Sequence, residues 1–96
     1  MKSKKEIEAV VIETIRNIQV MSGREQTQVG SNTVPIGGLE GFTSRNGLEA
    51  TPSIAFKLNV NIPLDMNIFK NEKGNKALSV KEIADRIESL EWVEER

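Results

Sequence analysis

The segment GLEGFTSRNGLEATPSIAFKLNVNIP, from Gly38 to Pro63, contains the residue best placed to do chemistry, Ser44. A glycine-rich approach delivers its hydroxyl to what reads as the start of a helix. Two roles fit that position. The ordinary one is a helix N-cap, where a serine oxygen accepts from a free backbone N–H. The other is a serine carrying a phosphodiester, which the free N–H groups and the helix dipole would stabilise. One site can serve both.

Other chemistries find less support. The chain has no Cys and no His. That removes a thiol nucleophile, thiolate metal ligands and disulfides. It also removes the commonest general base and the commonest transition-metal ligand. The stretch DMNIFKNEKGN has the outline of a calcium loop, but Phe69 holds its fifth position and Lys70 its sixth, where Gly is required. Apolar side chains there break up the oxygen cage a hard cation needs, so the stretch reads as a polar connector. Gly37, Gly38 and Gly41 form neither a dinucleotide fingerprint nor a P-loop. Glu94 and Glu95 read as solvated carboxylates at a polar helix end. No acid–base pair accompanies a nucleophile, so the expectation is no catalytic residue, no metal site and no enzyme.

The elements that must position Ser44 follow from hydropathy. Ile7, Val10, Val11, Ile15 and Ile18 share one helical face, and Ser3 with Glu6 forms a capping box, predicting a helix over 4–19. The polar, glycine-rich stretch SGREQTQVGSNTVPIGGLEGFTS shows no periodicity and predicts a long loop anchored by Val34, Ile36, Leu39 and Phe42. Leu48, Thr51, Ile54, Ala55 and Leu58 recur at helical spacing. Pro52 leaves two alternatives: a helix from Ser44 with a kink, or a fresh helix from Pro52 after a Thr cap. Leu58, Val60, Ile62 and Leu64 alternate as a strand would, yet Pro63 argues for an extended connection packed on the core. DMNIF predicts a short helical turn and KNEKGNKA a surface loop around Gly74. The last helix is signalled by Val80, Ile83, Ile87 and Leu90, with Ser79 and Glu82 as its capping box. No hairpin is expected. The fold class is therefore a small all-α bundle in one domain spanning 1–96.

Composition limits the partners. Ninety-six residues suffice for one modest core, and 13 basic against 14 acidic side chains leave a net charge of −1. No basic excess faces nucleic acid, and MKSKK reads as a solvated helix start. No apolar run is long enough to span a bilayer, and no signal-peptide core follows the basic start. A cytoplasmic location and a monomer are the expectations.

FTSRNGLEATPSIAFKLNVNIP resembles the second-helix region of acyl carrier proteins. That family places Asp-Ser-Leu before a helix with a hydrophobic-Glu pair and closes the region with Ile-Pro. Ser44 falls on the modified serine, Leu48 and Glu49 on the pair, and Ile62 and Pro63 on the closing dipeptide, without a gap. LSVKEIADRIESL looks like the family's last helix, so the resemblance covers nearly the whole chain. It implies a four-helix bundle with a long loop between helices I and II. It also implies a 4′-phosphopantetheine arm, taken from coenzyme A, on Ser44. The reactive sulfur would belong to that cofactor, in keeping with a chain lacking Cys and His. The implied partners are a phosphopantetheinyl transferase and acyl-transferring or condensing enzymes, recognised through Thr43, Arg45 and Glu49. Leu48, Ile54, Leu58 and Ile62 are the implied acyl-chain lining, with plain core packing as the alternative for each.

The departures are specific. Thr43 replaces the usual Asp and Arg45 the usual apolar residue. Gly47 and Pro52 weaken the helix. Between Glu40 and Pro63, Glu40 and Glu49 are balanced by Arg45 and Lys57, where typical carriers are strongly acidic. The connection before the last helix is longer than usual. Together they imply a specialised carrier of lipid or secondary-metabolite synthesis with dedicated partners. The alternative is a carrier-like interaction domain that has lost the arm.

Overall fold

The first helix, α1 (Lys4–Met21), forms where the apolar spacing places it and runs two residues beyond the expected end. Its capping box is present: the Ser3 hydroxyl accepts from the Glu6 N–H at 3.2 Å, and the Glu6 carboxylate accepts from the Ser3 N–H at 3.3 Å. Ile7, Val11 and Ile15 are fully buried along one stripe. Gly23, at φ +72°, lets the chain leave the helix in a left-handed turn. In this computed structural model residues 2–24, 28–63 and 65–93 are described. Leu64, Glu94 and Glu95 lie outside them.

The long loop has one short helical turn, α2 (Pro35–Gly38), interrupted by non-helical backbone at Ile36 and Gly37. Leu39 and Phe42 are buried as anchors, and Val29 and Pro35 join them. The second long helix, α3 (Ser44–Leu58), keeps Pro52 inside it, which settles the alternatives in favour of a start at Ser44. Pro52 lies on the solvent side. The carbonyl it leaves without a helix partner belongs to Leu48, on the same wet face, which lowers the cost of the missing bond. Asn59, at φ 60° and ψ 43°, ends the helix in a left-handed cap and reverses the chain.

The expectation of an all-α fold is met in its coarse form. The protein is mostly helical, but β1 (Val60–Asn61) and β2 (Glu91–Trp92) pair antiparallel, Val60 opposite Trp92 and Asn61 opposite Glu91. Strands of two residues give no readable alternation, and their partners lie some thirty residues apart in the chain. The stretch around Gly74 is a surface loop as expected, with residues 72–76 exposed, and backbone bonds close its base. Lys70 bridges Ala77, the Leu78 N–H donates to the Phe69 carbonyl, and the Asn71 N–H to the Lys76 carbonyl, each at 2.9 Å. Gly74 supplies the positive φ of this hairpin-like turn. Instead of a helical turn, DMNIF delivers Ile68 and Phe69, both fully buried.

The last helix, α4 (Val80–Glu88), starts at the expected Ser79–Glu82 capping box and buries Val80, Ile83, Ala84 and Ile87. Its first two N–H groups donate to the carbonyls of Thr33 and Ser31, each at 2.9 Å. The long loop therefore supplies acceptors that every helix start otherwise lacks. Helix α1 packs against both α3 and α4, and one apolar core joins these three helices to the buried loop residues. Among the described residues no helix is long and apolar enough to cross a membrane.

Candidate functional site

Ser44 is the first residue of α3, and the residue before it does the capping. Thr43 has the extended backbone of an N-cap, φ −108° and ψ 174°. Its N–H donates to Asn46 Oδ1 at 2.9 Å, and its hydroxyl reaches the same oxygen at 3.0 Å. The expected role of Ser44 as the cap is thus corrected by one position. Thr and Ser are both good caps, and the polar residue three positions after Thr43 decides between them. Ser44 contributes its carbonyl, which accepts from Asn67 Nδ2 at 2.9 Å. Its side chain is half-buried at the helix mouth. No acidic residue occupies the first turn of α3, so no carboxylate there opposes a phosphate.

Three contacts fix the approach to this serine. Gln19, nearly fully buried on α1, donates from Nε2 to the Glu40 carbonyl at 3.0 Å. Arg24 Nη1 donates to Gln19 Oε1 at 3.3 Å, and its guanidinium lies over Gly41 where a Cβ would stand. Phe42 is buried with its ring 5.4 Å from that of Phe69. Past the serine, Gly47 is where the helix comes closest to its neighbours. A Cβ there would meet Asn67 Oδ1 at 2.9 Å and Phe69 Cβ at 3.1 Å. The glycine that weakens the helix is what lets it approach the connector.

Asn67 and Arg86 were not singled out in the sequence, yet they hold this mouth together. Asn67 donates to Ser44 and accepts from the Phe69 N–H at 3.0 Å. Arg86, on α4, donates from Nη1 to the carbonyls of Asn67 and Lys70. Asn67 lies 23 positions from its partner, so no local pattern marks it. The i, i+4 spacing of Arg45 and Glu49 does signal a pair, and Arg45 Nε meets Glu49 Oε1 at 3.2 Å. Both side chains stand in solvent beside Ser44, where an ion pair adds little stability and remains open to a partner.

The four candidate lining residues do not converge. Ile54 and Leu58 are closed into the core, at 0% and 1% exposure. Leu48 is 43% exposed on the outer face of α3. Ile62 is buried at the edge of a groove between α3 and β1, which it lines with Thr51, Ala55 and Phe56. No family model, no curated protein and no solved structure matches this chain.

Proposed function

We propose that this chain is a discrete, specialised acyl carrier protein, bearing 4′-phosphopantetheine on Ser44 and passing acyl thioesters between enzymes of lipid or secondary-metabolite synthesis. The observation that carries the reading is the division of labour at the mouth of α3. Thr43 and Asn46 cap the helix, so a bond to the Ser44 oxygen leaves the cap in place. The backbone N–H groups of the first turn and the positive end of the helix favour the resulting phosphodiester. In this reading α1, α3 and α4 correspond to the first, second and last helices of a carrier-type four-helix bundle. The hairpin-like connector takes the place of the third.

Loading forms a bond from Ser44 Oγ to the phosphorus that bears pantetheine, as the pyrophosphate P–O bond of coenzyme A breaks. Adenosine 3′,5′-bisphosphate leaves, and the hydroxyl proton passes to a base of the transferase. Held on Ser44, such an arm would supply a thiol able to carry an acyl group as a thioester, with no redox change. Thr43 orders the mouth, while Arg45 and Glu49 present a paired, nearly neutral surface to partner enzymes. Such a surface calls for partners other than those with the basic patches that suit acidic carriers.

A second reading, an interaction domain without the arm, draws on the exposure of Phe56 (89%) and Leu48 on the outer face of α3. Incubation with coenzyme A and a promiscuous phosphopantetheinyl transferase separates the two. The carrier reading expects a gain of one phosphopantetheine mass, abolished in Ser44→Ala. No gain across several transferases overturns it in favour of the second.

A further inference from the structure

Ser44 shares its helix mouth with a chemically labile dipeptide. Asn46 is the one asparagine of the chain followed by glycine. In that pair no side chain shields the following amide, so its nitrogen has the easiest access to the asparagine side-chain carbon. The fold nevertheless uses both residues. Asn46 Oδ1 accepts from the Thr43 N–H at 2.9 Å and from the Thr43 hydroxyl at 3.0 Å. Gly47 is buried, and a Cβ there would meet Asn67 Oδ1 at 2.9 Å and Phe69 Cβ at 3.1 Å. Replacing Gly47 gives up the close approach, and the cap relies on the very amide that is at risk.

The same contacts hold the reaction off. The Gly47 N–H donates to the Thr43 carbonyl at 3.1 Å, so the nucleophile is tied into the first turn of α3. The Asn46 amide is turned toward Thr43 by its own two bonds. Closing a five-membered ring requires Asn46 to leave the helical ψ, and that breaks the Gly47 bond. Helix ends open locally more often than a whole domain unfolds.

From these contacts we infer that Asn46 is a site of spontaneous deamidation whose gate is the cap of α3. When the first turn opens, the Gly47 nitrogen attacks Asn46 Cγ, and the bond from Cγ to the side-chain nitrogen breaks. Ammonia leaves with the Gly47 amide proton, and a succinimide remains. Water then opens the ring at either carbonyl, giving aspartate or isoaspartate with no redox change. Aspartate keeps an acceptor for Thr43 but sets a negative charge on a first turn that has none. Isoaspartate adds a methylene to the backbone, so the turn that carries Ser44 loses its register. The change is one-way, and it stands whether or not Ser44 bears an arm.

The test follows every asparagine by peptide mass mapping while the intact protein is incubated at mildly alkaline pH. Methyl transfer by an isoaspartyl methyltransferase gives a second readout. In urea Asn46 should convert ahead of all other asparagines, and folding should slow it by about tenfold or more. Thr43→Ala removes a cap worth about fivefold in the opening equilibrium, and should speed conversion in the folded protein by that factor. Ser79→Ala, the matching loss at the start of α4, should leave the rate unchanged. Equal acceleration by Ser79→Ala would assign the rate to global unfolding and overturn the inference. An unchanged rate in Thr43→Ala, a folded rate equal to that in urea, or another asparagine converting first in urea would overturn it too.

Discussion

At the scale of single residues, the mouth of α3 separates two hydroxyls one position apart. Thr43 holds the cap with Asn46, and Ser44 stands on the first turn. Thr43→Ala should therefore cost about 1 kcal/mol, the usual worth of an N-cap, and Ser44→Ala almost nothing. Urea unfolding of the two variants checks this; equal losses would return the cap to Ser44. Gly47 gives a second contrast. Alanine favours a helix interior by about 1 kcal/mol over glycine, but here its methyl would press on Asn67 and Phe69. Asn67 is held by two hydrogen bonds and Phe69 is fully buried, so neither yields easily. Overpacking of this kind costs about 1–3 kcal/mol, and Gly47→Ala should lower the urea midpoint. A raised midpoint would show that the connector does not sit tightly on the helix. Sequence alone made Ser44 a candidate because its neighbours compose a pattern. It could not reach Asn67, whose role exists only once distant segments meet.

At the scale of elements, α1 and α4 were legible because both ends of the argument are local. Ser3 with Glu6 and Ser79 with Glu82 mark the starts, and apolar residues at helical spacing mark the faces. These caps also carry a pH dependence. The Ser79 N–H, and after it the Ser79 hydroxyl, hold the Glu82 carboxyl below its ordinary value of 4.5. Ser3 does the same for Glu6. A carboxyl whose pKa falls on folding stabilises the folded state fully above its unfolded value, and this is lost as pH drops through the folded one. The melting temperature should thus decline on acidification below about pH 4.5, and Glu82→Gln should flatten part of that decline. Melting curves for both proteins from pH 7 to pH 3 check it; parallel declines would remove Glu82 from the account. The β1–β2 pair and the hairpin-like connector were illegible for a complementary reason. Each is a few backbone bonds between short segments, with Gly74 and Asn59 as local signs of reversal.

At the scale of the whole molecule, the core shows why the helical class was readable while the arrangement was not. Alternation over Leu58, Val60 and Ile62 reports burial correctly, since all three are buried, but it cannot say what covers them. Residues that look alike in sequence also part company in space. Ile54 and Leu58 close the interior, Leu48 faces out, and Ile62 borders the groove. Ile83 belongs to the shared core of all three long helices, and Ile83→Ala should cost about 2–5 kcal/mol. A loss below 1 kcal/mol by urea unfolding would mean that α4 is not integral to that core. The central claim concerns a covalent bond, and mass reports it without assumptions about partners or cargo. Purified from its native host and weighed intact, the protein should carry one phosphopantetheine, with or without an acyl group, on the peptide containing Ser44. An unmodified mass for the whole population, together with a partner complex indifferent to Ser44→Ala, would contradict the carrier account.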